Sequence, residues 1–509
     1  MKTQRKSPLE ISRKEFRRTG YQLIDSISEF IHSIDKKQVT TGESPEEIQK
    51  IIGSSPLPED GRPVQELLSE ASDLLFNHSL LNGHPRFFGY ITSSPAPIGA
   101  LADLLATAVN PNVGANILSP AATEIEKQTI KWLAEFIGVS TSYGGILVSG
   151  GNMANFTAFL AARTAKASKN IKEEGLSASP KLTFYCPDTT HVWVEKAAIL
   201  FGLGSKSIRW IKTDTRNIMD NEILEQSIQN DLKNGFAPFL VIGNAGDVST
   251  GVIDDLPVIS SICKKYNLWF HVDGAYGLPA AVIPELKPMF NGIDEADSIA
   301  LDPHKWLYSP LEAGCTLVKD PNHLLQAFSY HPAYYNFDSE DSSIQNYYEY
   351  GLQNSRGFRA FKVWLALQQV GRRGYEVMIK KDIELSKLLF EKAKGHKELE
   401  AATQNLSITT FRFVPKDYVE VEGNVDYLKS LNEALLNELQ QGGEVFLSNA
   451  IIKGKYYLRA CIVNFRTSEK DIEAIIDIVV REGKKMHKKL QKELKKSPIF
   501  SSSYPMPAP

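Results

Sequence analysis

Four short stretches each set a chemically capable side chain against the end of a regular element. Ser149-Gly150-Gly151-Asn152 follows the apolar run Gly145–Val148 and opens a helical stretch, Met153–Ala165. Glycines at a strand-to-helix turn expose backbone N–H groups, and a helix start adds positive potential, so an anion such as phosphate suits the spot; a structural tight turn reads equally well. Asp273 closes the run Trp269-Phe270-His271-Val272. A carboxylate there needs a cationic or hydrogen-bonding partner, although a helix cap or loop bridge is an ordinary use for it. His304 and Lys305 stand just past Ser298–Leu301. Desolvation at a covered strand end would free the lysine amine for imine chemistry, while an exposed loop lysine is the plainer reading. His191, in Thr189-Thr190-His191, precedes a helix and brings an imidazole to the same edge, or merely neighbours a cap.

Considered together, a phosphate cradle, a carboxylate, a lysine and a flat aromatic ring match what pyridoxal phosphate requires. The lysine holds the aldehyde, and the carboxylate keeps the pyridine nitrogen protonated so that the ring can accept electrons from a carbanion. Competing signatures are missing: there is no G-x-S-x-G elbow, H-E-x-x-H motif or Walker A loop. Gly202-x-Gly204 follows a helix rather than a strand and carries no dinucleotide signal.

These residues need a scaffold that gathers strand ends. From about 70 to 380 the chain alternates β-rich runs (Gly145–Val148, Leu182–Cys186, Phe239–Ile242, Leu268–Val272, Ser298–Leu301, Cys315–Val318) with helices including Ala122–Ile137, Met153–Ala165 and Val192–Leu200. Such alternation predicts an α/β fold, a mostly parallel sheet with helices on both faces and its ligand beyond the strands' carboxyl ends. Beyond 380, a helix at Asp382–Lys394, strands near Ile408–Phe413 and Tyr456–Val463, and a helix at Ser468–Arg481 predict a smaller α+β domain. The expected organisation is a helical arm and linker (1–70), a large domain (71–380), a small domain (381–497) and a disordered tail (498–509). Within the arm, apolar residues from Leu9 to Ile31 recur at helical spacing, and the prolines of 40–63 suggest loop. Lys484–Lys496 reads as a solvated amphipathic helix.

Composition narrows the class. The 509 residues carry 57 Lys+Arg against 60 Asp+Glu, a net charge of −3, without the basic excess of a nucleic-acid binder. Four scattered cysteines fit neither a disulfide framework nor a zinc site, so no metal is expected. Neither a signal peptide nor a membrane-spanning run is visible. A cytoplasmic protein, with no membrane or nucleic-acid partner, is the expectation.

The sequence resembles the group II pyridoxal-phosphate-dependent decarboxylases, which act on aromatic amino acids, tyrosine, histidine or glutamate. The resemblance rests on HPRFFGY (84–90), SPAATEIE (119–126), VSGGNMANFTAFLAAR (148–163), HVDGAYG (271–277), DPHKW (302–306), SRGFRAFKVW (355–364) and LRACIVNFRTSEKDI (458–472). It implies fold type I, the pyridoxal phosphate transferase-like fold, and a homodimer with active sites at the subunit interface and an interlocking N-terminal arm. By the same resemblance Lys305 is the Schiff-base lysine and Asp273 the partner of the pyridine nitrogen. His191 stacks on one ring face and Ala275 packs the other, while Gly151, Asn152 and His304 surround the phosphate and the lysine. Asn152 stands where the family often has Ser or Thr. In His331-Pro332-Ala333-Tyr334-Tyr335, Tyr334 matches the tyrosine that protonates the carbanion carbon, with Tyr335 the competing choice.

The implied substrate is an L-amino acid. Gly114 and Asn116 replace two bulky aromatics that line the pocket of aromatic amino-acid decarboxylases, beside Asn112, which implies a roomier and more polar pocket. Tyr90 is retained, and Ser355 stands where plant members bearing Ser favour phenolic side chains. A tyrosine-like substrate is favoured over glutamate, aspartate or 2,4-diaminobutyrate; Arg86 would suit an acidic one. A related lyase or aldehyde-forming enzyme is the alternative within the fold, although Tyr334 argues against the aldehyde-forming type, which carries Phe there. A non-catalytic scaffold is disfavoured by retention of Lys305, Asp273 and His191.

Overall fold

The structure is a computed structural model and describes residues 7–167, 171–330, 344–418 and 425–496. Seven strands form the main sheet: β1 (Gly144–Val148), β2 (Leu182–Pro187), β3 (Ile208–Ile211), β4 (Ala237–Asn244), β5 (Trp269–Asp273), β6 (Ser298–Leu301) and β7 (Gly314–Val318). Their order across the sheet is β1-β7-β6-β5-β4-β2-β3. Strand β7 runs antiparallel to both neighbours, and the other pairings are parallel. The carboxyl ends of β1, β2, β4, β5 and β6 therefore share one edge, as expected of fold type I. Strands buried on both faces read as unbroken apolar runs, which is why most were legible. Strand β3, Ile-Arg-Trp-Ile, escaped because it is a half-exposed sheet edge.

A second sheet, ordered β10-β11-β9-β8, is wholly antiparallel and comprises β8 (Leu399–Asn405), β9 (Ile408–Phe413), β10 (Ser448–Ile452) and β11 (Lys455–Cys461). Helices Val425–Gln441 and Glu469–Lys496 pack on it around a separate apolar cluster that includes Phe411, Leu431, Leu458 and Ile475. The helix expected at Ser468–Arg481 and the lysine-rich segment are one element. Met486 and Leu490 lie against this cluster, while Lys484 and Lys485 reach Glu398 and Glu482 at 2.8 Å each.

Two expectations change. The linker of 40–63 contains a helix, Pro45–Ile52, opened by a capping box: Ser44 Oγ accepts from Glu47 N–H at 3.2 Å, and the Glu47 carboxylate accepts from Ser44 N–H at 2.8 Å. Pro45, read as a breaker, occupies the first turn, where its missing N–H costs nothing. The helix predicted at Asp382–Lys394 is the last part of Arg359–Gly395, interrupted at Gly371, whose φ of 65° and ψ of 165° no helical residue adopts. The N-terminal helix, Arg13–Ser33, starts at a Ser12 cap and packs on helix Val64–Asn77.

Candidate active site

A cavity of about 330 Å³ opens at the shared strand edge, lined largely by residues that follow strand ends or open helices, with Ile91, Asp247 and Val248 added from loops. The turn Ser149–Asn152 leaves β1 and becomes helix Gly151–Lys166, whose start has no side-chain cap, so its first N–H groups face the cavity unpaired by any cap. Gly150 holds φ 147°, and a β-carbon on Gly151 would lie 2.6 Å from Asp302 Oδ2. The turn can pass this close to its neighbours only as glycine.

Asp273 ends β5 with three N–H groups converging on it. Trp193 Nε1 donates to Oδ2 at 2.7 Å, Asn155 Nδ2 to the same oxygen at 3.3 Å, and Ala275 N–H to Oδ1 at 3.2 Å. Lys305, in the turn after β6, places Nζ 3.1 Å from Asp302 Oδ2; Asp302 itself is 1% exposed. The turn is anchored from behind: Trp306 Nε1 and the Tyr308 hydroxyl donate to Asp382 Oδ2 at 2.8 and 2.5 Å, and burial pushes that carboxyl up to about 7.

The histidines have defined tautomers. Ala313 N–H donates to His304 Nδ1 at 3.0 Å, so the proton sits on Nε2, which lies 3.6 Å from Asp302. Trp193 N–H donates to His191 Nδ1 at 3.3 Å, leaving the Nε2 proton outward. Both imidazoles are held below their usual range by desolvation, with the Lys305 charge adding to it. For His191 this holds although the residue is exposed.

Lys305, Asp273, His191, Ala275, Gly151, Asn152 and His304 thus line one cavity. Tyr90, Asn112, Gly114, Asn116 and Ser355 do not. Asn112 Oδ1 instead accepts from Gly114 N–H at 3.1 Å and Arg356 N–H at 3.0 Å, and Asn116 N–H donates to Asn346 at 3.0 Å. A β-carbon on Gly114 would stand 2.2 Å from the Asn354 carbonyl, so this glycine serves a close backbone approach. Tyr90 lies 57% exposed beside Phe446, and Ser355 is exposed. Tyr334 and Tyr335 lie outside the described residues. Trp193, Asn155 and Asp302 were missed: a tryptophan and an asparagine on helices read as packing, and only the tertiary fold aims them at Asp273.

An uncapped helix start over a glycine cradle, with a lysine and a carboxylate in the same cavity, suits a phosphate-bearing pyridine aldehyde, and the residues fit pyridoxal phosphate. The comparisons agree. The family described as "Pyridoxal-dependent decarboxylase conserved domain" matches residues 45–414. The chain belongs to this pyridoxal phosphate-dependent decarboxylase family. It is similar to an aromatic-L-amino-acid decarboxylase of Bacillus atrophaeus, at 32% identity over 92% of this chain and 95% of that one. It is also similar to tyrosine decarboxylase 4 of Petroselinum crispum, at 30% identity over 91% and 92%. The crystal structure of Oryza sativa TDC with PLP and tryptamine superposes with a TM-score of 0.87 at 24% identity, covering 95% of this chain and all of that one, which shows the fold. Among the described residues no helix is long and apolar enough to cross a membrane.

Proposed function

We propose that this enzyme decarboxylates an aromatic, tyrosine-like L-amino acid to its amine and carbon dioxide. The observation that carries the reading is the convergence of Lys305, Asp273 and the Ser149–Asn152 turn on one cavity, in a chain that resembles aromatic and tyrosine decarboxylases over nearly its whole length. Bound pyridoxal phosphate supplies the sink for the electron pair left when carbon dioxide departs.

The chain's own groups do the rest. The helix start and Gly151–Asn152 hold the phosphate, and His304 braces the turn that carries Lys305. The Lys305 amine, beside Asp302, would hold the cofactor aldehyde. Asp273 keeps a proton on the ring nitrogen, with Oδ2 occupied by Trp193 and Asn155. His191 and Ala275 bound the space for the ring. Tyr334, or Tyr335 in its place, returns the proton to carbon.

The working unit is a homodimer in the cytoplasm, with the active sites at the interface and Tyr90, Asn112, Gly114, Asn116 and Ser355 contributing to the substrate pocket there. The chain divides into an arm (1–70), a large domain (71–380), a small domain (381–497) and a tail (498–509). An L-amino-acid panel with pyridoxal phosphate, scored for amine by mass spectrometry, tests the substrate. Tyramine from tyrosine at the highest kcat/KM is expected; a preference for glutamate, aspartate or 2,4-diaminobutyrate overturns the aromatic assignment, and aldehyde product overturns the reaction type.

A further inference from the structure

Behind Asp273 lies a file of buried polar groups of which the reaction above uses only the last, Asn155. Trp269 Nε1 donates to Ser298 Oγ at 2.8 Å, Ser298 Oγ lies 2.8 Å from His271 Nδ1, and His271 Nε2 lies 2.7 Å from Asn155 Oδ1. Asn155 Nδ2 then donates to Asp273 at 3.3 Å. His271 and Ser298 are 1% and 0% exposed, and Asn155 is 2% exposed.

The direction of every bond in this file follows from its end. A carboxylate only accepts, so Asn155 must turn its amide nitrogen toward Asp273 and its oxygen toward His271. His271 Nε2 must therefore carry the proton, which leaves Nδ1 bare and accepting. Ser298 Oγ then donates to it, and its oxygen accepts from Trp269. Reversing any link would set two acceptors or two donors face to face in a buried space, where neither could be satisfied by water. The geometry points to Trp269, Ser298, His271 and Asn155 as a one-way hydrogen-bond chain that positions Asp273, with His271 fixed as the Nε2–H tautomer.

Burial also pushes the His271 imidazole down to about 4, so the ring stays neutral and keeps one acceptor and one donor. Trp193 meets the same Oδ2 from the other helix. With Oδ2 taken by these two donors, Oδ1 receives, among the described residues, the Ala275 N–H alone and keeps a lone pair for the cofactor ring nitrogen. This assignment rests on the reading of Asp273 as the ring-nitrogen partner, and His271, Asn155 and Ser298 act through Asp273 as positioning residues.

The test combines a spectroscopic and a kinetic arm. In protein carrying 15N-labelled histidine, observed with and without pyridoxal phosphate, His271 (assigned by the loss of its signals in His271→Gln) is expected to show a protonated Nε2 and a bare Nδ1. A protonated Nδ1 overturns the chain, whatever the variants do. In the holoenzyme, Asn155→Asp places an acceptor where the last donor stood; kcat is expected to fall about tenfold or more with KM changed less than about twofold. His271→Gln, which keeps an N–H donor, is expected to retain more kcat than His271→Leu at equal thermal stability, and equal values overturn the proposal. Asp273→Asn separates the two readings. If it lowers kcat while Asn155→Asp does not, the chain fails and the reading of Asp273 stands. If Asp273→Asn leaves kcat intact, it is the reading of Asp273 that fails, and the positioning role proposed here falls with it.

Discussion

Gly151 shows how a residue with no side chain governs the site. Its α-carbon lies so near Asp302 that an added β-carbon would meet Oδ2 at 2.6 Å, and Asp302 is the carboxylate beside Lys305. Gly151→Ala must therefore move either the phosphate-binding turn or the partner of the lysine. The expected outcome is a roughly tenfold weaker hold on pyridoxal phosphate, about 1.4 kcal/mol, read by titrating the cofactor into cofactor-free protein; an unchanged dissociation constant would show that the turn tolerates the methyl group. The residues legible in the sequence were those whose chemistry is out of place at a buried strand end: Lys305, Asp273 and, more weakly, His191. Asp302 sits in the same motif but needs the third dimension to be seen as the group facing Lys305. Trp193 and Asn155 look like core on a helix, and their N–H groups acquire meaning only when β5 is laid beside them.

The elements are held in register by a buried ion pair. Arg356 and Glu126 meet at 2.5 Å with side chains 1% and 0% exposed. Arg356 also donates to the Val113 and Leu147 carbonyls at 2.8 and 2.6 Å, and Leu147 N–H donates to Glu126 at 3.0 Å. This knot ties helix Pro120–Ile137, strand β1 and the segments around Val113 and Arg356, and so sets where β1 delivers the Ser149 turn. Glu126→Ala would leave a guanidinium buried without its counter-charge, at about 3–5 kcal/mol. A lowered urea midpoint checks this, and adding Arg356→Met should recover part of the loss, because an apolar pair avoids the desolvation cost. At this scale the strand-helix alternation made the parallel sheet legible, since strands covered on both faces are continuously apolar. The missed elements have physical reasons. Strand β8, Leu-Glu-Ala-Ala-Thr-Gln-Asn, is a half-buried edge with little apolar content. The Pro45–Ile52 helix was hidden by prolines that suit a first turn as well as a loop. Gly371 divides a helix at a point the hydrophobic period does not mark.

At the scale of the whole molecule, the described residues leave one apolar helix face uncovered. Helix Pro97–Val109 carries one charged residue, Asp103, which Lys362 holds at 3.0 Å, yet Leu101, Leu104, Leu105 and Val109 are 52–70% exposed. A helix apolar all round belongs inside a protein, and a contiguous exposed patch of this kind marks an interface. Ile117 and Leu118, at 70% and 52%, are likewise exposed, in the segment holding Gly114 and Asn116. In one chain that segment and Tyr90 stand apart from the cavity, and in the homodimer proposed above a second copy would bring them to it. Native mass is therefore expected at twice 56.7 kDa. Charging the helix face with Leu104→Glu and Leu105→Glu together should give a folded monomer by circular dichroism and native mass, with decarboxylation reduced at least about tenfold, since burying two carboxylates in an interface costs far more than that ratio represents. A double variant that stays dimeric with full activity would place the interface elsewhere. A monomer that still turns over at the original rate would mean that one chain alone completes the substrate pocket, and that Gly114, Asn116 and Tyr90 take no part in it.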